Sequence, residues 1–405
     1  MKIINCRFCN DILPEAIFKL PDTPLANEFL LESIEQDKFS LQLASCNNCH
    51  LYQLTESVPA DRLFNKDYTF VSGTSPSNQQ YFRKYAEDLI RRFNLQAGDF
   101  VVEIASNDGT MLRVFQEYGI RILGIDPASS IADKATKEGI KTIPTFFTSE
   151  LADSIINEYG NAKLIVANNM LAHIDNVNDI IIGVRKLLDN DGVFVFENSY
   201  FKEVYEKSIF DLIYSEHKSQ FLVYSLLVLF QTNNMCFFDV QSTEVHGGSI
   251  RGFVSKKYQT SSNVNEFIEK ERLLGLIVNS VKNTKMLEWQ NNIELLSHNL
   301  LIEIKKYAKG KVIGYGAPAK LTSLSYTLGI DNSMLEYIVD DNPIKQNTYS
   351  PGKHIPIKPF SKILEDKPDV IIITAWNFSQ SIIKKCKDAG YDGKFIIPLP
   401  ELKII

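Results

Sequence analysis

Cys6-Arg7-Phe8-Cys9 and Cys46-Asn47-Asn48-Cys49 carry the most specific chemistry in this chain. A C-x2-C turn lets two thiolates reach one ion from a tight loop, and two such turns supply the closed four-sulfur set that structural zinc prefers. The 36 residues between the pairs are enough for a small lobe of their own. A redox-active C-x-x-C is the competing reading, because either pair alone has that spacing. A zinc ribbon can also bind nucleic acid. Here residues 1–66 hold six Lys or Arg against nine Asp or Glu, the wrong sign for a polyanion.

A second constellation runs from Val101 to Thr110. An apolar strand ends in Glu103-Ile104 and leads through Ala105, Ser106, Asn107, Asp108 and Gly109 into an apparent helix, so backbone can approach a ligand at the strand's carboxyl end. About twenty residues on, Ile125-Asp126-Pro127 ends the next strand with a carboxylate placed to accept both hydroxyls of a ribose. The G-x-G-x-x-G dinucleotide fingerprint is absent. The E-x-A-x-x-x-G form fits S-adenosylmethionine better than NAD, because a sulfonium ligand has no pyrophosphate to cradle. The third strand end, Asn168-Asn169-Met170-Leu171-Ala172-His173, brings two amides and an imidazole beside that cleft, with Asn169 and His173 spaced to share a helix face.

Tyr214-Ser215-Glu216-His217 clusters a phenol, a carboxylate and an imidazole, which suits a general base and an oxyanion donor. In one helical turn Tyr214 and His217 share a side while Glu216 points elsewhere. His246-Gly247-Gly248 reads either as a hairpin turn or as a loop that admits a ligand near His246 and Arg251. Gly314-Tyr315-Gly316-Ala317-Pro318-Ala319-Lys320 follows a strand like a phosphate-binding loop, with Lys320 as an anion partner, but lacks the third glycine of a dinucleotide motif.

These groups need scaffolds, and the composition supplies them. With 405 residues, 44% apolar and 23% charged, the chain is globular and long enough for two or three folding units. Its 43 basic and 49 acidic residues give a net charge of −6, which speaks against nucleic acid. Residues 1–75 hold four of the six cysteines and form the expected zinc lobe. Residues 76–260 alternate continuous apolar runs (Phe100–Ile104, Ile122–Ile125, Lys163–Ala167, Val193–Phe196) with helical stretches, the pattern of a doubly wound α/β domain. Residues 261–307 read as a helical connector broken once, and 308–405 repeat the βαβ signature in a second Rossmann-like unit. The start of the chain lacks the pattern of a secretory signal, and the longest apolar run, Phe221–Phe230, is too short to span a bilayer. A cytoplasmic enzyme, with its cysteines as thiols or metal ligands, is the expectation.

In their shared order these motifs resemble the deoxysugar C-methyltransferases. The resemblance covers essentially the whole chain and adds Pro24-Leu25-Ala26-Asn27, Ser72-Gly73-Thr74-Ser75, Glu216-His217, His246-Gly247-Gly248-Ser249 and Pro351-Gly352-Lys353-His354-Ile355-Pro356 to the groups above. It implies a zinc-binding N-terminal domain, a central S-adenosylmethionine domain bound through Glu103, the Ala105–Gly109 loop, Asp126 and Asn168, and a C-terminal unit that helps hold a nucleotide-linked 4-keto-6-deoxyhexose. It also implies that His217 is the catalytic base, with Tyr214, Glu216, Asn169 and His173 around the reacting centre. The substrate set it suggests is Tyr68, Phe70, His246, Arg251, Tyr315 and Lys320. The implied reaction is methylation of carbon 3 through an enolate, by a monomer. An O- or N-methyltransferase on a related sugar, or a nucleotide-sugar-binding protein without turnover, are the other readings.

Overall fold

The structure is a computed structural model that describes residues 2, 4–63, 71–74, 76–278, 284–307 and 310–405. Three sheets account for its strands. The first is antiparallel: β1 (Phe18–Thr23), β2 (Phe39–Ser45) and β3 (Tyr52–Leu54) pair in sequence. Its fourth strand arrives from far along the chain, where Ser219 and Gln220 pair with Gln53 and Tyr52. The segment carrying His217 is thereby hydrogen-bonded into the sheet of the cysteine lobe.

The second sheet contains β4 (Phe100–Ile104), β5 (Arg121–Ile125), β6 (Thr142–Ile143), β7 (Ala162–Asn168) and β8 (Leu188–Ser199). After β9 (Ser219–Gln220), which belongs to the first sheet, β10 (Cys236–Thr243) and β11 (Ser249–Ser255) complete it in the order β10-β11-β8-β7-β4-β5-β6. Strands β4 to β8 are parallel and β11 runs antiparallel to β8. Every residue of β4 is buried, as a strand covered by helices on both faces requires. The order reverses at β4 and β7, so their carboxyl ends open the crevice where such sheets take ligands.

The third sheet, β14-β13-β12-β15-β16-β17, is built from β12 (Val312–Tyr315), β13 (Ile338–Val339), β14 (Ile357–Lys358), β15 (Val370–Ile373), β16 (Lys394–Ile397) and β17 (Lys403–Ile404). All its pairings are parallel except that of β17.

Two helices, Ser262–Leu273 and Thr284–Tyr307, precede this unit. The second also packs: Trp289 stacks on Phe18 with ring centroids 4.4 Å apart and meets Phe201 edge-on at 6.0 Å. One hydrophobic core therefore runs from β1 and β2 through Trp289 into the third sheet. A second joins Cys6, Phe8, Cys46 and Cys49 to the strands of the second sheet. The three units share interiors, and a site at their junction is held from all sides. No helix among the described residues is long and apolar enough to cross a membrane.

One local expectation is corrected. Asn169 and His173 do not share a helix, because Asn169 adopts a left-handed φ of 51° and donates its N–H to the Glu197 carbonyl at 2.7 Å. His173 instead ends a short 3-10 turn, Leu171–His173, and the next helix starts only at Val177.

Candidate active site and metal centre

The four cysteine sulfurs lie within 4.8 Å of one another. Cys6 Sγ is 3.4 Å from Cys49 Sγ, and Cys9 Sγ is 3.5 Å from Cys46 Sγ. Thiolates on a tetrahedral zinc at about 2.3 Å stand about 3.8 Å apart, so the set has the size for that ion. Both turns are built alike. Phe8 N–H points at Cys6 Sγ and Asn48 N–H at Cys46 Sγ, each at 3.4 Å, and the residues that follow the pairs, Asn10 and His50, take φ of 60° and 54°. Both of these contacts run between the turns, so the two pairs face one common centre. Four sulfurs leave no open coordination position, so the centre is a structural zinc site.

At the carboxyl end of β4 the backbone alternates into the left-handed region at Ala105 (58°), Asn107 (50°) and Gly109 (72°). The first two bear side chains, at a cost of about 1 kcal/mol each. Asp126, at the end of β5, holds the loop there. Its carboxylate accepts from Asn107 N at 2.8 Å and from Ala128 N at 2.9 Å. From outside, Ser72 N donates to Asn107 Oδ1 and Gly73 N to Asp108 Oδ2, both at 2.9 Å. A Cβ on Gly73 would stand 2.4 Å from Asp108 Oδ2, so only glycine lets this segment close on the loop.

Acidic side chains crowd the cleft. Burial pushes Glu103 well above the usual carboxylate range, and the charges of Asp108 and Asp126 add to that. Burial also raises Asp126, against its two N–H donors. Glu103 Oε2 is buried without a partner among the described residues, as are Ser106 Oγ and Asn168 Oδ1. Unmet acceptors and crowded acids suit a ligand that brings a sulfonium, an ammonium and hydroxyl donors. The residues present thus fit S-adenosylmethionine.

Tyr214 and His217 face each other across one turn, closed by His217 N to Tyr214 O at 2.9 Å, with ring centroids 4.1 Å apart. His217 Nδ1 lies 2.8 Å from the Leu212 carbonyl, which can only accept, so Nδ1 carries the hydrogen. Nε2 then bears the lone pair and accepts from Tyr214 Oη at 2.8 Å. The His173 ring meets His217 edge-on at 5.1 Å. Burial, with the charges of His217 and Lys218, holds His173 well below the ordinary imidazole range, so it is neutral at pH 7. Glu216 does turn away from this pair, as a single turn requires. It is buried, accepts from Asn27 Nδ2 at 2.8 Å, and is pushed up to about 7 by burial.

The remaining substrate candidates separate. Tyr68 and Phe70 lie outside the described residues, as does the side chain of His246. Gly247 and Gly248 belong to the turn between β10 and β11, where a Cβ would press on Trp376 (2.8 Å) and Glu203 (2.7 Å). Their smallness thus serves packing. Arg251 sits directly across from Glu197 in the β11–β8 register and donates to it from Nε and Nη2 at 3.2 and 3.0 Å. Tyr81 bonds both Glu197 oxygens, and the Arg251 guanidinium lies over the Tyr85 ring at 3.2 Å. Arg251 is therefore engaged within the fold. Tyr315 Oη donates to Asp341 at 3.2 Å. Lys320 is buried over the Trp376 ring at 3.6 Å, 3.9 Å from Asp211, and burial brings it down to about 8.

Sequence reasoning passed over Asn27, Asp175 and Lys345. Lys345 is buried, donates to the Ala317 carbonyl at 2.7 Å, and is close enough to Glu216 to influence its charge. Of the three, only Asn27 had a signal, as the last residue of Pro24-Leu25-Ala26-Asn27.

Family models match residues 6–64 (zinc binding domain), 77–242 (methyltransferase domain) and 244–400 (C-methyltransferase C-terminal domain). The C-methyltransferase NovU of Streptomyces niveus is 31% identical over 411 residues, covering 100% of this chain and 97% of that protein. Among solved structures, magnesium protoporphyrin IX methyltransferase from Synechocystis PCC 6803 with bound SAM is 14% identical, over 44% of this chain and 79% of that one, at a TM-score of 0.34. An S-adenosylmethionine-dependent methyltransferase from Clostridium acetobutylicum is 13% identical over 45% and 92%, at 0.36.

Proposed function

The chain belongs to the S-adenosylmethionine-dependent C-methyltransferase family, and on that premise we propose that it methylates carbon 3 of a nucleotide-linked 4-keto-6-deoxysugar through an enolate, as a cytoplasmic monomer. The observation that carries this reading is the polarity of the His217 hydrogen bonds.

Bound S-adenosylmethionine supplies an electrophilic methyl group on its sulfonium. A sugar carbon bearing hydrogen is not a nucleophile, so the chain's own task is to remove the proton next to the ketone. His217 is preset for it. The Leu212 carbonyl fixes the tautomer with the lone pair on Nε2, and the same carbonyl stabilises the imidazolium once Nε2 has taken a proton. Tyr214 occupies that lone pair with its hydroxyl, so substrate takes its place at Nε2 and leaves the phenol free to donate to the enolate oxygen. His173 can serve the same oxygen. Because burial lowers its proton affinity, the proton that leaves carbon goes to His217 and not to His173. Asp126 is assigned to the ribose of the methyl donor, the Ser106–Gly109 loop to its amino-acid portion, and Tyr315 and Lys320 in the C-terminal unit to the nucleotide sugar. Transfer to oxygen or nitrogen would need no carbon acid and no base of this kind.

The test uses the folded His217→Ala protein with candidate 4-keto-6-deoxyhexose nucleotides. Turnover should fall by about two to four orders of magnitude. S-adenosylmethionine affinity should hold, and exchange of the sugar's α-hydrogen with deuterated water should slow in parallel. Product NMR locates the methyl group. Near-normal exchange would move the base to another residue, and a methyl group on oxygen would reject the enolate.

A further inference from the structure

We propose that Arg7, within the first zinc turn, is a positioning residue for His217: with Asp175 and Lys218 it forms a clamp that sets the spacing of the two active-site imidazoles. The proposal rests on the reading of His217 as the base.

Asp175 lies two residues after His173, and Lys218 directly follows His217. The Lys218 ammonium, fully buried, pairs with Asp175 Oδ2. Arg7, with its side chain 3% exposed, donates from Nε to Asp175 Oδ1 at 3.1 Å. The same guanidinium donates from Nη1 to the carbonyls of Lys218 and Leu54, both at 3.1 Å. The Lys218 carbonyl also accepts from Leu54 N at 2.9 Å, and Ser57 Oγ donates to Asp175 at 2.7 Å. The peptide that follows the base is therefore pinned by two donors from the cysteine lobe, and the loop carrying His173 is pinned to the same guanidinium. Asn178 Nδ2 closes the arrangement by bonding the carbonyls of Arg7 and Phe8 at 3.1 and 2.9 Å.

A buried ion pair is a weak source of net stability, because desolvation of both charges offsets their attraction. What a planar guanidinium adds is direction: three bonds in fixed relative orientation join a carboxylate on one loop to a carbonyl on the other. Cys6 and Cys9 flank Arg7, so zinc holds the backbone from which the clamp reaches. This gives the remote metal centre a part in the geometry of the reaction without a part in its chemistry.

The experiment compares full-length, zinc-loaded Arg7→Met, Arg7→Lys and Asp175→Asn proteins, with metal content measured for each. A displacement of about 1 Å at a reacting group can cost about 100-fold. Arg7→Met should accordingly lower kcat and the α-hydrogen exchange rate by about 10- to 100-fold, with KM for the sugar and affinity for S-adenosylmethionine within about threefold. The ring 15N resonances of His217 in the ligand-free protein should move, and Arg7→Lys should recover part of kcat. Zinc-loaded Arg7→Met with wild-type kcat and unmoved His217 resonances would overturn the proposal. If Arg7→Met fails to hold zinc, Asp175→Asn, which leaves the turn intact, decides by the same readouts. Exchange measured alongside in His217→Ala separates failure of the base assignment from failure of the clamp, since the ring resonances report on the clamp whichever residue is the base.

Discussion

Asp126→Ala distinguishes two jobs that one carboxylate performs. The side chain accepts two backbone hydrogen bonds, from Asn107 N at 2.8 Å and Ala128 N at 2.9 Å, in a buried setting. Bonds to an ionised acceptor contribute roughly 1.5–3 kcal/mol each. Against this stands the cost of burying the charge, visible in the raised pKa of the group. A net loss of about 2–3 kcal/mol in loop order is the expectation, because Ala105 and Asn107 would no longer be held in the left-handed region. At about 1.4 kcal/mol per factor of ten, S-adenosylmethionine affinity should weaken by roughly 30- to 150-fold in calorimetry. The decisive measurement is thermal unfolding without ligand. At about 2–4 °C per kcal/mol for a unit of this size, loss of the anchor should lower the midpoint by about 4–12 °C, whereas loss of a ribose contact alone would leave it unchanged. An unaltered midpoint refutes the anchoring argument. Unaltered affinity refutes the assignment of this cleft to the methyl donor.

Freshly purified protein should contain one zinc per chain by elemental analysis. Cys46→Ser should lose it and lower the unfolding midpoint of the methyltransferase sheet too, since Cys6, Phe8, Cys46 and Cys49 share its core; protein without stoichiometric metal under reducing conditions would remove the site. A pH dependence follows from Glu271, which accepts from the N–H groups of Val223 and Tyr224 and from Tyr200 Oη, and which burial pushes up to about 7. The native state holds this proton more tightly than the unfolded chain, so the stability it brings is full below about pH 4.5 and is lost as pH rises through about 7, amounting to roughly 3 kcal/mol. Glu216 acts with the same sign. Glu271→Gln should therefore reduce the fall in unfolding free energy measured between pH 5 and pH 8, and an unchanged slope would show that Glu271 does not titrate there.

The parts of the fold that were legible in the sequence are those whose physics is local. Strands such as Phe100–Ile104 and Val370–Ile373 are buried on both faces, which demands a nearly continuous apolar run and therefore announces itself, with Glu103 the one exception in the first. The paired cysteines announce themselves through spacing alone. What stayed hidden depends on partners distant in the chain. Arg251 in Ser249-Ile250-Arg251-Gly252 carried no sign of its partner, which is fixed by sheet register: the pairing sets it against Glu197. Arg7, Asp175 and Lys218 carry no mutual signal across 168 and 43 residues. The two-residue strand Ser219–Gln220 is too short to show a period, although it ties the segment of His217 to the cysteine lobe. Asn169 and His173 had helical spacing, but a left-handed asparagine ended the run before it began.

The two Rossmann-like units fix their first loops in the same way, and this explains why an acid at a strand end is ambiguous in sequence. After β4, Ala105 takes a left-handed φ and Ser106 N reaches back to the Ile125 carbonyl; after β12, Gly316 takes 97° and its own N–H reaches the Val339 carbonyl. The acid at the end of the neighbouring strand then accepts from the loop and from its own turn. Asp126 takes Asn107 N and Ala128 N, while Asp340 takes Ala317 N at 2.6 Å and Asn342 N at 2.8 Å. Such an acid orders the loop before any ligand arrives, and a ribose contact is a second use of oxygens already committed. In the C-terminal unit the Ala317 carbonyl receives Lys345, whose charge in turn acts on Glu216, the residue before His217 in the chain. The segment from Tyr214 to Lys218 therefore feels the charge of Lys345 at Glu216 from one unit and is bonded at the Lys218 carbonyl by Arg7 of the first cysteine turn from another.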